Sequence, residues 1–154
     1  SLLMYQRPML EDGEIEFESF WVPGAQEVHP SVGRSAILIQ PDGAKLHILT
    51  DAQYETRDLA PDNLSPIPGA ADKIDLKAND WNQIRLVLKG DQLMVFVNGS
   101  QAATHEVKEP VTERFFGLFR YADTNHCRVR KVVYRGNWPR TLPPITEQFL
   151  ATQK

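Results

Sequence analysis

Three glutamates alternate with apolar residues in the run Glu14, Ile15, Glu16, Phe17, Glu18. In an extended strand, alternate residues share a face about 7 Å apart. That is near the spacing of the carboxyl pair in retaining glycoside hydrolysis. Glu16 or Glu18, working with His47, is therefore the acid–base set the sequence offers. The competing reading is a solvated strand face, because exposed glutamates suit an edge and make poor general acids at neutral pH. His47 lies between Leu46 and Ile48 and so points away from the core of its strand. His29 sits in a loop, Val28-His29-Pro30, where a histidine commonly bonds backbone. Arg34 and Arg120 carry planar donor forks suited to carboxylates and sugar hydroxyls. Strand order decides whether His47 shares its face with Glu16, Glu18 and Arg85, and mutual ion pairing on an open sheet is the simpler alternative.

A second group is Arg120-Tyr121-Ala122-Asp123-Thr124-Asn125-His126. Sugar recognition needs a flat apolar surface for C–H faces and fixed polar groups for hydroxyls. Tyr121, Asp123 and Asn125 could supply both, with Trp21 and Tyr54 as further stacking candidates. The ligand-binding set is thus Trp21, His29, Arg34, His47, Arg120, Tyr121 and Asp123. Metal ligation is not expected. Asp51, Asp58, Asp62 and Asp123 form no spaced calcium loop, and the four histidines are scattered. Cys127 is the only cysteine, so there is no intrachain disulfide and no thiolate cage. No cofactor is predicted, and calcium is left open.

These side chains must be held by strands. Period-two alternation dominates, and turn pairs punctuate it. Residues 35–40 and 44–49 flank Pro41-Asp42-Gly43, residues 82–89 and 92–97 flank Gly90-Asp91, and Asn98-Gly99 is a strong hairpin signal. Two further strands come from 115–121 and 128–134. Seven or more short strands, each with one apolar face, must close against each other as a two-layer antiparallel sandwich or a barrel. Phe17, Trp81, Phe96, Phe116 and Phe119 are the expected filling or edge cover. Residues 54–80, with Pro61, Pro66, Pro68 and Gly69, read as a long loop, either functional or a packed excursion. Residues 1–136 read as the sandwich, and residues 137–154 as a Pro-containing tail with weak helical character that docks or frays.

The chain has 154 residues, 42% hydrophobic and 24% charged, enough for one domain. Seventeen Lys and Arg against twenty Asp and Glu give a net charge of −3. That excludes a broad basic surface for nucleic acid. No apolar run approaches the roughly 20 residues of a membrane helix. Beginning at Ser1, the chain reads as a domain cut from a larger protein, with neighbouring domains as partners. The compartment is not readable, and an exported or periplasmic parent is left open.

The run from Trp81 to Gly99 resembles the central hairpin of concanavalin A-like and laminin-G-like jelly rolls. Phe116-Gly117-Leu118-Phe119 followed by Val129–Tyr134 resembles their closing strands. The likeness spans roughly residues 10 to 135 and implies an all-β, two-sheet antiparallel sandwich. A closer resemblance is to uncharacterised domains of large planctomycete proteins, carried by Val28-His29-Pro30, Gly33-Arg34, Pro41-Asp42-Gly43, Leu59-Ala60-Pro61-Asp62-Asn63, residues 117–123 and residues 134–139. It implies no activity. A more distant likeness is to bacterial domains described as hydrolases or lyases of 3-keto-glycosides, which share the sandwich without an evident catalytic signature. Jelly-roll glucanases carry a Glu-x-Asp-x-Glu strand. Here the middle residue is Glu and the strand lies near the N-terminus of a shorter chain. The sequence therefore favours a non-catalytic module that binds carbohydrate or another polar ligand. Its alternatives are a glycoside-processing enzyme and a structural or protein-interaction domain.

Overall fold

The computed structural model describes residues 2–9, 12–50, 63–120 and 126–136. The strands are β1 (Leu2–Pro8), β2 (Gly13–Trp21), β3 (His29–Val32), β4 (Ser35–Gln40), β5 (Gly43–Ile48) and the two-residue β6 (Ser65–Pro66). They continue with β7 (Asp80–Lys89), β8 (Gln92–Val97), β9 (Ser100–Glu106), β10 (Phe115–Phe119) and β11 (Val129–Gly136). A six-stranded sheet runs β1-β10-β3-β4-β5-β6 and a five-stranded sheet runs β11-β2-β7-β8-β9. Every pairing is antiparallel. The all-β antiparallel sandwich is the architecture that alternation demands.

The turns form where the sequence places them. Asn98 and Gly99 have φ of 49° and 86°. Left-handed values at both central residues are what a two-residue hairpin with the twist of its strands requires. The Asn98 side chain also fastens the hairpin, donating from Nδ2 to Asp75 O at 2.9 Å and accepting from Gln83 N–H at 3.0 Å. At Gly43 (φ 117°) a Cβ would come within 2.8 Å of Ala71 O. The β4–β5 turn therefore allows no side chain there.

Between the sheets lie Ile15 and Phe17 of β2, Ile37 and Ile39 of β4, Ile84, Leu86 and Leu88 of β7, and Leu93, Val95 and Val97 of β8. Each fully buried aliphatic or aromatic side chain stabilises the fold by about 1.5–3 kcal/mol. Of the five aromatics expected as filling or edge cover, Phe17 and Phe116 meet in this layer, ring centroids 6.0 Å apart. Trp81 and Phe96 lie instead on the outer face of the five-stranded sheet, because their strand neighbours Asn82, Ile84, Val95 and Val97 take the inward positions. Phe119 likewise lies outside the six-stranded sheet, next to inward Leu118. The described part of the long 54–80 segment packs inward through Ile67 and Ile74.

Four strands depart from the sequence reading, the two-residue β6 being one, since it lies in the 54–80 segment read as a loop. β1 was not expected; Leu2, Leu3 and Met4 pair with Phe119, Leu118 and Gly117. The Val28-His29-Pro30 loop is in fact the start of β3. Pro30 is tolerated there because the β3–β4 ladder covers only Ser31 and Val32, leaving Pro30 paired with Leu118 of β10. β11 contains a bulge between Arg130 and Val133, with Lys131 at φ 53°. Finally, among the described residues β1 and β11 are the edge strands on one side of the sandwich. Between them opens an apolar cleft of about 420 Å³ that reaches core residues Ile15 and Phe116 and is rimmed by Leu3, Tyr5 and Val132.

Candidate functional site

The polar residues that the sequence singles out fall on two faces. Glu14, Glu16 and Glu18 point outward from β2, since Ile15 and Phe17 point in. β11 supplies their counter-charges. Arg130 Nε and Lys131 Nζ both donate to Glu18, the lysine at 2.9 Å. Arg135 bonds Glu14 at 3.1 Å and lies 3.7 Å from Glu16, and Arg85 reaches Glu14 at 3.4 Å. The same guanidiniums cover aromatic rings: Arg85 lies 4.4 Å over Phe96 and Arg130 4.0 Å over Trp81, while Arg128 lies 3.6 Å over Phe20. Lys131 and then Arg130 hold the Glu18 carboxyl below the usual carboxylate range, the opposite of what a general acid needs. His47 is on the outer face of the other sheet, with the core between. The pairing of Glu16 or Glu18 with His47 is thus corrected, as is a shared face with Arg85.

The second face is the outer side of the six-stranded sheet near the start of β3. The chain leaves β2 at Trp21 and turns through reciprocal bonds between Val22 and Gln26 (3.1 and 2.9 Å). It enters the other sheet at His29, opposite Phe119. Because the β3–β4 ladder has ended by then, Ile39 N–H takes the His29 ring instead, at 3.0 Å to Nδ1. An imidazole nitrogen that accepts carries no proton, so His29 holds its hydrogen on Nε2. That N–H faces the Glu27 carboxylate at 3.5 Å, and the His29 side chain is only 2% exposed. Contact with His29, then with Trp21 and Gln40, holds the Glu27 carboxyl below its usual range against the opposing effect of burial.

His47 has the complementary tautomer. Its Nδ1 lies 3.0 Å from the Asn63 carbonyl, which can only accept. Nδ1 therefore carries the proton and the neutral ring presents Nε2 as an acceptor. Asn63 is itself fixed like a missing strand neighbour: its Nδ2 donates to Ile48 O at 2.7 Å and its Oδ1 accepts from Ile48 N–H at 3.2 Å. The His47 ring stacks on Phe119, centroids 5.0 Å apart and planes 16° from parallel. Burial pushes the His47 pKa down, and His29 is near enough to add to that.

Arg120 follows Phe119 and lies near enough to Cys127 to act on its thiol, whose pKa burial raises. The chain beyond is tied to the same corner: Cys127 Sγ donates to Glu27 O at 3.4 Å and Arg128 Nε to Gln26 Oε1 at 3.1 Å. The structure thus brings Trp21, His29, His47 and Arg120 to one neighbourhood. Arg34 is elsewhere, beyond Val32 at the other end of β3. Its Nε donates to Leu49 O at 3.1 Å and its backbone N–H to Glu109 at 2.8 Å, which makes it a fastener of the β3–β4 turn. Tyr54, Tyr121, Asp123 and the 137–154 tail lie outside the described residues. Sequence reasoning missed Glu27 and Phe119 as site members. Glu27 stands two residues before His29, the first residue of β3, and nothing in the sequence marks it as the partner of that ring. Among the described residues no group of three or more Asp, Glu, His or Cys gathers as a metal site.

The fold has solved relatives. A variant of human galectin-16 superposes with a TM-score of 0.60 at 6% identity, over 89% of this chain and 95% of that one. Sheep galectin-11, solved in complex with glycerol, gives 0.55 at 8% identity over 87% and 95%. The carbohydrate-binding module CBM66 of Bacillus subtilis gives 0.50 at 12% identity over 82% and 76%. At such identities the likeness is one of fold. No curated protein matches the sequence. The family that does match, over residues 1–141, is described as a domain of unknown function, and the chain belongs to it: it is a DUF1583_N domain.

Proposed function

We propose that this domain is a non-catalytic carbohydrate-binding module of a larger protein, with its ligand met on the outer face of the six-stranded sheet beside His47, Phe119 and Arg120. The observation that carries this reading is the half-buried His47–Phe119 stack. It sets two aromatic rings together on the outer face for sugar C–H groups, the imidazole oriented by Asn63, and both rings are held by strands. Arg120 adds a donor fork at the same end. The sandwich neighbours, two galectins and a carbohydrate-binding module, support the class of ligand without naming it. The acid–base alternative loses support because its members lie on opposite faces.

The test is a glycan-array screen of the domain, in calcium and again in chelator. Binding to one glycan class in both buffers is expected, reduced at least tenfold by Phe119→Ala or Arg120→Ala in variants whose circular dichroism is unchanged. A blank array in both buffers would sink the proposal. It would favour the protein-interaction reading, which draws on the apolar, uncharged start of β1 and the exposure of Leu3 (71%).

A further inference from the structure

At the corner where β2 hands over to β3, two buried N–H groups point at one carboxylate without closing on it. The Trp21 Nε1 and His29 Nε2 atoms are both buried and have no hydrogen-bond partner among the described residues. His29 Nε2 stops at 3.5 Å from Glu27 Oε2, too long for a good N–H···O bond, and Trp21 approaches the same carboxylate. Leaving such donors dry costs about 1–3 kcal/mol each. Beside them is a small cavity of about 10 Å³ lined by Trp21, Glu27, Val28, His29, Ile39 and Ile84. That is room for about one water.

We propose that a single water molecule is a fixed part of this domain, held by the N–H groups of Trp21 and His29 and by the Glu27 carboxylate. The donor pattern selects the occupant. Two N–H donors ask for an acceptor and the carboxylate asks for a donor, and a water supplies both in one atom. A cation would face two N–H groups, and an anion would face Glu27. The tautomer argument matters here. Because Ile39 N–H occupies Nδ1, the Nε2 hydrogen of His29 is fixed in place and aimed at this spot. Trp21 belongs to the five-stranded sheet and His29 to the six-stranded sheet, so the water joins the two layers at the end that carries the proposed ligand face. The inference does not depend on what that face binds.

A crystal structure of the domain at 1.5 Å or better tests it, with Glu27→Gln and Trp21→Phe solved beside the wild type. The expected wild-type result is one ordered peak about 2.7–3.2 Å from Trp21 Nε1, His29 Nε2 and a Glu27 oxygen. In Trp21→Phe the peak should persist on its two remaining partners with a higher B-factor. In solution, the indole proton of Trp21 should show a cross-peak to a long-lived water in nitrogen-edited NOE spectra. Direct bonds from both N–H groups to Glu27 with no peak would overturn the proposal. So would a side chain filling the cavity, or a wild-type peak bonded to none of the three. If Glu27→Gln fails to fold, the wild-type and Trp21→Phe structures still decide the matter.

Discussion

The outer face of the five-stranded sheet and the β2–β3 corner use the same residue types, arginine, aromatics, glutamate and histidine or lysine, to opposite ends. On the open face Glu14, Glu16 and Glu18 each have a basic partner and each of three rings lies under a guanidinium. The charges are exposed, mutually satisfied and screened by solvent, so each pair contributes little. At the corner the groups are buried and few, and while His29 Nδ1 takes the Ile39 N–H, His29 Nε2 and Trp21 Nε1 have no hydrogen-bond partner among the described residues. Removing one strands its partners away from water. A satisfied exposed network makes a soluble surface, whereas an incompletely satisfied buried one holds geometry. That difference directs attention to the corner and to the His47–Phe119 face beside it.

The largest expected effect is at His29. His29→Ala removes a fully buried ring and leaves Ile39 N–H without its acceptor, for a loss of about 3 kcal/mol in urea unfolding. A loss under 1 kcal/mol would erase the contrast between the two regions. A smaller effect is expected from pH. His47 and His105 both have pKa values lowered by burial. The unfolded chain takes protons at the ordinary imidazole value, 6.5, and the folded chain only at lower pH. Stability is therefore fully present above 6.5 and falls as pH drops from there toward the folded values. Glu27 adds a second decline below its ordinary 4.5, where the unfolded carboxyl protonates before the folded one. Thermal melts at closely spaced pH should show both declines, and His47→Gln should weaken the first.

Trp81→Ala sharpens the comparison on the functional side. It strips the largest ring from the open face and should leave glycan binding within twofold of wild type. A larger loss would move the ligand to the five-stranded sheet. The smallest effect belongs to Glu14→Gln, expected within about 0.5 kcal/mol of wild type and nearer still at high salt.

The fold was legible where alternation is regular. β7, β8 and their two-residue turns could be read directly, because each places an apolar residue at every second position. β11 could not. Read strictly, Val129, Lys131, Val133 and Arg135 form one face and Arg130, Val132, Tyr134 and Gly136 the other, and neither is apolar. The bulge at 131–132 reverses the parity, so Val129 and Tyr134 both pack on the core while Arg130 and Arg135 both meet glutamates. It also lets consecutive Arg130 and Lys131 share Glu18, which a regular strand would forbid. The candidate site was half legible. His29, His47, Trp21 and Arg120 have types that attract notice, but their convergence depends on the crossing between sheets at residues 22–29. Glu27 looked like any surface acid until that crossing was drawn.

The cleft between β1 and β11 has a practical consequence at the bench. Dyes that brighten in apolar surroundings usually report unfolding or a loosened core. Here a native molecule already exposes Leu3 and Val132 at the mouth of an opening that leads to Ile15 and Phe116. Such a dye should therefore fluoresce with the folded domain, and a melt followed that way would start from a high baseline and read as false instability. The three tryptophans offer a reporter that needs no added probe.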